Sequence, residues 1–553
     1  MSWGHVTSPD LLVWTRGSKR PVLLRDEEYD AAGVFTGCFL PVEKGAKELT
    51  VFYSSIRQLP FHWTTPPYPR DAAGLSAATS TDGGRTWQKS PHNPIIKGEP
   101  EDVQVSGFRD PYIAPWEVLD ELRGTKEKML YSIISGGMQD AGPTSFLYAT
   151  TYDNIGEFEY LGPLVTPSAR FQPSEHWSGN YGMNWECTNF MTLSNNATSK
   201  HFLILGAEGD VERKHVSEHP SPPGCPGRTV RAQLWMSGDV TCSKDDNDKE
   251  DIKISYKAGG FLDHGSYYAA NSFHDPRTNR RVVYGWIPEE DATPEHAAVQ
   301  GWNGALALPR ELFLLTISSV TRALNSPLNE VTCFEVEAGE VEDGLKQLHT
   351  LGIRPIEELN QLQQSCHEFF ESQPISLSSS TPTSAVSGRL TKPAWELQAT
   401  IILTEKSCSS VGFHIRNTRS KRIRSTISFD LAKETIKVAR NESVSTKNFN
   451  NCPEQGPFTL FYTRESGSKE EEVLEKLRLR IIFDGDVCEV FANDRFALAT
   501  MVYSVDGPAQ EYEVVAFAED VMDGVRFEEA KMWDGLNGMK SLLIEDVATG
   551  NGI

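Results

Sequence analysis

No apolar run in this chain approaches the roughly 18 residues a membrane-crossing helix needs, so no membrane-spanning segment is expected. The opening Met1-Ser2-Trp3-Gly4-His5 has neither the basic start nor the apolar run of a secretory leader, and none is expected; the site of action stays open. Positive charge is in deficit: 53 Lys and Arg against 76 Asp and Glu give a net charge of −23. That excludes nucleic acid or an anionic membrane as the natural partner and suits a neutral small molecule such as a sugar. The nine cysteines form no Cys-x-x-Cys pair. Their odd number leaves at least one thiol unpaired, no disulfide framework is legible, and no metal or other cofactor is expected. Helical periodicity is almost absent before residue 345.

Two short stretches stand out: Phe108-Arg109-Asp110-Pro111 and Trp185-Glu186-Cys187-Thr188. An Asp before Pro is ordinary turn chemistry. A Glu between Trp185 and an apolar run is different, because a carboxylate there is costly unless something uses it. Two carboxylates with aromatic and cationic neighbours suit glycosidic chemistry. One must stay ionised, held by a charge such as Arg109, while the other has its pKa raised so that it can give a proton.

The first 340 residues read as strands between turns. Trp14, Trp87 and Tyr160 are evenly spaced, each after a turn and before a proline-marked exit. Repetition of one sheet unit at a long fixed period suggests propeller blades, with a β-sandwich as the alternative. Strands are expected at 49–54, 128–134, 201–207, 233–236 and 281–286, and the domain is expected to span 1–340. Residues 341–388 read as a helical and linking segment, from Ile356, Leu359, Leu362 and Phe369 near helical spacing and a Ser/Thr/Pro-rich stretch at 376–387. Short alternating strands over 389–540 suit a β-sandwich, followed by a tail at 541–553. Asn196 and Asn441 begin glycosylation triplets.

In order along the chain, Trp3-Gly4-His5, Arg109-Asp110-Pro111, Trp185-Glu186-Cys187, Asp263-His264-Gly265, Leu308-Pro309-Arg310-Glu311-Leu312 and Glu489-Val490-Phe491 resemble the blocks of glycoside hydrolase family 32. That family comprises the invertases, inulinases and fructosyltransferases, and the likeness is strongest to its fungal members. It implies an all-β architecture, a five-bladed propeller with a C-terminal sandwich. It also implies a retaining double displacement on the β-fructosyl unit of sucrose or a fructan. By the family motifs Glu186 is the acid/base and Asp110 the transition-state stabiliser, with Arg109 beside it. Phe35, Thr36, Glu208, Asp263 and Tyr268 are candidate substrate-binding residues. The family's nucleophile lies in an Asn-Asp-Pro block upstream of Trp-Gly-His, and no residue of this chain takes its place. Asp10 and Asp275 are the remaining candidates and both read as turn residues. The first blade is therefore expected to be incomplete through truncation, and the chain as written inactive. Fructosyl transfer and sugar binding without cleavage are the alternatives.

Overall fold

The computed structural model describes the chain except residues 42–46, 196–197, 220, 222–225, 245–248, 338–343, 441–448, 465–471, 504–510 and 537–553. The expected tail and the triplets at Asn196 and Asn441 lie wholly or partly outside the described residues. Antiparallel strands dominate, in sheets that follow chain order. Gly33–Phe39, Leu49–Ile56, Ala73–Ser80 and Gln88–Lys89 form one four-stranded sheet. Val105–Ala114, Met129–Met138, Gly142–Thr151 and Glu159–Pro163 form the next. Asn184–Ser194, Ser199–Glu208, Arg231–Lys244 and Glu250–Phe261 form a third. The last is built on Tyr268–Asp275, Arg280–Ile287, Arg310–Ala323 and Lys346–Pro355. Successive hairpins of this kind are propeller blades, and the first strands of neighbouring blades lie side by side around the axis.

Ahead of these four comes a ribbon of two short strands, Val6–Thr7 and Thr15–Arg16, in the place of a first blade. Its segment straps the blades on either side. Met1 and Phe35 offer carbonyls to Val34 N and Trp3 Nε1 at 3.2 and 3.0 Å, and Pro9 accepts from Arg277 at 2.5 Å. Leu11 packs with Val282, Ile356 and Leu359. Across the axis Asn271 Nδ2 donates to the Gly37 carbonyl at 2.8 Å, joining the last blade's first strand to that of the second. The evenly spaced aromatics keep one role. Trp14 and Trp87 immediately precede the outermost strand of their sheets and Tyr160 lies within its own.

The segment 341–388 is not the helical linker its spacing suggested. Lys346–Pro355 is a buried strand of the last blade, paired with Arg310–Ala323. Only a 3-10 turn at Glu357–Asn360 and a helical turn at Gln361–Gln364 follow. Phe369 lies in the strand Glu368–Glu371, and the Ser/Thr-rich stretch supplies strands Ile375–Leu377 and Thr383–Ala385. The helix-like spacing arose because residues 356–362 cover one short coil, while the preceding strand is buried on both faces and so shows no alternation. The sandwich also gives a piece back: Phe461–Thr463 pairs with Arg310–Ala323 in the last blade.

The sandwich packs two six-stranded paths around Trp395, Phe413, Ile427, Val490 and their neighbours. Its junction with the propeller is apolar around Leu312, Leu351, Phe491 and Met501. Inside that junction sits a closed charge cluster. Arg310 donates to Asp263 and to Glu489 at 2.8 Å each, and all three side chains are sealed from solvent.

Candidate active site

Every four-stranded blade breaks its ladder at the same place, in its first strand. Register shifts occur between Val34 and Gly37, between Arg109 and Pro111, between Glu186 and Asn189, and between Tyr268 and Asn271. Asp110, Cys187 and Ala269 adopt left-handed backbone at φ 62°, 48° and 52°. Bulges re-aim side chains, and here they turn those of several blades into one cluster at the axis.

Arg109 is its hub. The guanidinium donates through Nε and Nη2 to Glu186 Oε1 at 3.0 and 2.6 Å, and through Nη2 to Glu208 Oε2 at 3.2 Å. Tyr268 donates its hydroxyl to Glu186 Oε2 at 2.7 Å. Asp110 stands 3.9 Å from Arg109 Nε. Its backbone N donates to Ser54 Oγ at 2.7 Å, and its carboxylate accepts from Cys187 N at 3.3 Å. Thr36 lies against Cys187. Phe35 meets Phe61 at 6.5 Å between ring centres, and Phe61 in turn lies 5.7 Å under the Arg109 guanidinium. Arg109 Nη1 is buried without a partner among the described residues, a donor left for a bound hydroxyl or a further carboxylate.

The charge states reverse the expectation. Burial pushes the Asp110 carboxyl up to about 6; Arg109 opposes this and Glu186 adds to it. Burial also pushes Glu186 up, but Arg109, the Tyr268 hydroxyl and Arg231 together hold it below the ordinary value. Glu208 is raised by burial and by the charge of Glu186. Thus Arg109 keeps Glu186 ionised rather than Asp110, because its fork is spent on Glu186. Raising Glu186 needs another anion close by, as in carboxylate pairs that titrate apart.

Of the candidates, Asp110, Glu186, Arg109, Glu208 and Tyr268 come together, with Thr36 and Phe35 at the edge. Asp263 does not join them. It accepts from Arg310, Gly265 N and Ala499 N inside the domain junction, although it is five residues from Tyr268 in sequence. Asp10 caps its own turn through Leu12 N and Val13 N, and Asp275 binds Arg277 and Thr278. Three residues of one loop were missed: Phe61, His62 and Trp63. His62 Nε2 approaches Glu208 at 3.9 Å, and a Cβ on Gly209 would touch Trp63 at 3.0 Å. Their signal was an aromatic triplet inside a proline-rich loop. Arg231 was missed too; it stacks 4.9 Å over the Tyr268 ring. For a metal, the described residues offer His367, Glu368 and Asp534 at the sandwich edge. Both Asp534 oxygens there already accept hydrogen bonds from Thr391 and Lys392.

Known proteins carry the same arrangement of domains. A β-fructofuranosidase of Aspergillus kawachii, solved with glycerol, superposes with a TM-score of 0.83 at 28% identity, over 97% of this chain and 88% of that one. A fructosyltransferase from A. japonicus gives 0.81 at 25% identity, over 96% and 89%. In sequence, a fructan 6-exohydrolase of Beta vulgaris is 26% identical over 321 residues, 56% of this chain and 45% of that protein, so the chain matches less than half of that relative's length. The profile of the Glycosyl hydrolases family 32 N-terminal domain covers residues 1–325, and that of the family 32 C-terminal domain covers 358–534. With the propeller, the sandwich and both domain profiles in register, the chain belongs to glycosyl hydrolase family 32.

Proposed function

We propose that this protein acts on the β-linked fructosyl unit of sucrose or a fructan, with Glu186 as proton donor and Asp110 as the stabiliser of charge at the reacting carbon. One observation carries the reading. Arg109 grips Glu186 while Asp110 lies beside it, at the bulged tips of two adjacent inner strands. Carboxyl groups presented together at the propeller axis are what glycoside cleavage requires. Glu208 and Arg109 Nη1 are placed to bind sugar hydroxyls, and Phe61 and Trp63 to wall the ring.

A retaining displacement needs a nucleophilic carboxylate roughly 5–5.5 Å from the acid. Among the described residues the third carboxylate of the cluster is Glu208, which is engaged by Arg109 and Asn184 and raised by burial. We read it as a hydroxyl acceptor rather than the attacking group. On this reading Arg109, Tyr268 and Arg231 outweigh the carboxylates beside Glu186, and a further anion is needed to lift its pKa. The test is fructose release from sucrose and inulin by the chain as written, beside a version carrying an Asn-Asp-Pro block ahead of Met1. Release by the second alone supports the assignment. Release by neither removes Glu186 and Asp110 from these roles.

A further inference from the structure

From Lys406 to Phe429 the chain carries six lysines and arginines and no Asp or Glu, in a protein whose net charge is −23. Strands Ser410–Asn417 and Ile423–Asp430 of the sandwich pair as a hairpin over this stretch, and Arg416, Arg419, Lys421, Arg422 and Arg424 cluster at its tip. The tip is a fixed frame. Asn417 Oδ1 accepts from Arg419 N and Ser420 N at 2.9 Å each, its carbonyl accepts from Lys421 N at 3.0 Å, and its own N donates to the Arg422 carbonyl at 2.9 Å.

Neighbouring carboxylates answer only part of this charge. Arg416 and Lys421 share Glu513 at 3.0 and 2.8 Å, and Arg424 takes Asp486 at 3.0 Å. Arg389, brought to the same end by the bridge between Leu390 and Tyr512, stands 3.7 Å from Glu511. Arg419 and Arg422 are exposed, and among the described residues neither meets a carboxylate. Six cations therefore face three carboxylates, a surplus of three positive charges on an acidic molecule. A turn that is merely solvated mixes both signs, and like charges held together repel. A thin anionic chain fits such a tip. An arginine fork takes a carboxylate or sulfate through two hydrogen bonds, and two unpaired forks on one fixed turn suit groups repeated along a strand. The acidic body narrows the choice, because charges within the screening length of about 8 Å still repel. A nucleic-acid duplex or an anionic bilayer presses dense charge against body and tip alike, whereas a single polysaccharide chain can touch the tip alone.

We propose that this hairpin tip is a docking site for an anionic polysaccharide bearing carboxylate or sulfate groups, gripped by Arg419 and Arg422 with Lys421 between them. No residue of the tip belongs to the axial cluster, so the docking site stands apart from the fructosyl reading. It gives the sandwich a role of its own, holding the protein on a charged matrix through a surface opposite in sign to the rest of the molecule.

The test is a fluorescence titration of the full chain with labelled polygalacturonate, dextran sulfate and neutral dextran, at low and high salt. The wild type should bind at least one of the two charged polymers at low salt, release it at high salt and ignore dextran. Arg419→Glu combined with Arg422→Glu should weaken that binding by about tenfold, a few-fold for each exposed ion pair. Arg419→Lys combined with Arg422→Lys should retain it within about threefold. Both double variants should melt at the wild-type temperature, since the two side chains are exposed and meet no carboxylate among the described residues. Binding of neither charged polymer, or binding untouched by the charge reversal, overturns the docking site. Duplex DNA or phosphatidylserine vesicles bound as tightly as the polymers overturn the choice of a polysaccharide. Low-salt self-association that the reversal abolishes, without polymer binding, assigns the tip to a second copy of the chain and overturns it as well.

Discussion

Asp110 shows what the site costs. A carboxyl whose folded pKa is raised from 3.8 to about 6 is favoured in its neutral form. Its contribution to stability is fully present below pH 3.8 and is lost as the pH rises through about 6, a loss of about 3 kcal/mol for a shift of roughly two units. Asp110→Asn should therefore match the wild type near pH 4 and exceed it by up to about 3 kcal/mol at pH 8. Denaturant unfolding at both values measures this, and an equal difference at the two pH values contradicts it. Glu186 stood out because a carboxylate between Trp185 and an apolar run is an unusual place for one, whereas Asp110, in an ordinary Asp-Pro turn, was singled out only by Arg109 beside it and by the likeness to a family block. Their charge states were not legible, because these depend on which acid Arg109 reaches after folding. Asp263 misled because closeness to Tyr268 in sequence ends at the turn between them, and its carboxylate finds Arg310 instead.

At the scale of elements, the bulges carry the site. Glu186 pairs across the ladder with Gly206, where a Cβ would fall 2.7 Å from the Tyr268 hydroxyl. Gly206→Ala should push that hydroxyl off Glu186 and raise the Glu186 pKa, since one of the groups holding its charge is lost. A carboxyl-carbon NMR titration reads this directly; an unmoved Glu186 midpoint would show that Tyr268 does not set its charge. Alternation and turn residues made the strands readable, and the even spacing of Trp14, Trp87 and Tyr160 marked where blades end. Which residues of the loop at 57–74 face the cluster was opaque, because Phe61, His62 and Trp63 do so through long-range packing that no local period announces. The strand Lys346–Pro355 was hidden by its burial on both faces.

Across the whole molecule, the propeller and sandwich share one apolar seam around the Asp263–Arg310–Glu489 cluster. Removing one member of such a cluster strands the others. Arg310→Met should cost about 3–5 kcal/mol by leaving two buried carboxylates uncompensated, read as a fall in the calorimetric transition; a change under about 1 kcal/mol would show the seam to be held by its apolar contacts alone. The ordered blocks made both domains legible, whereas their boundary was not, since Lys346–Pro355 and Phe461–Thr463, both beyond it in sequence, pair into the last blade. On the proposed reading, the described cluster supplies a stabiliser and a proton donor but not the attacking group. The direct measurement supplies azide and an activated aryl β-fructofuranoside to the chain as written. Azide should form a bond to the anomeric carbon as the bond to the aryl oxygen breaks, with the aryloxide taking a proton. The product should be a fructosyl azide of inverted configuration, lost in Asp110→Asn, with no fructose released from the same substrate when azide is absent. Fructose release without azide, or no azide product at all, would remove Asp110 and Glu186 from the proposed roles.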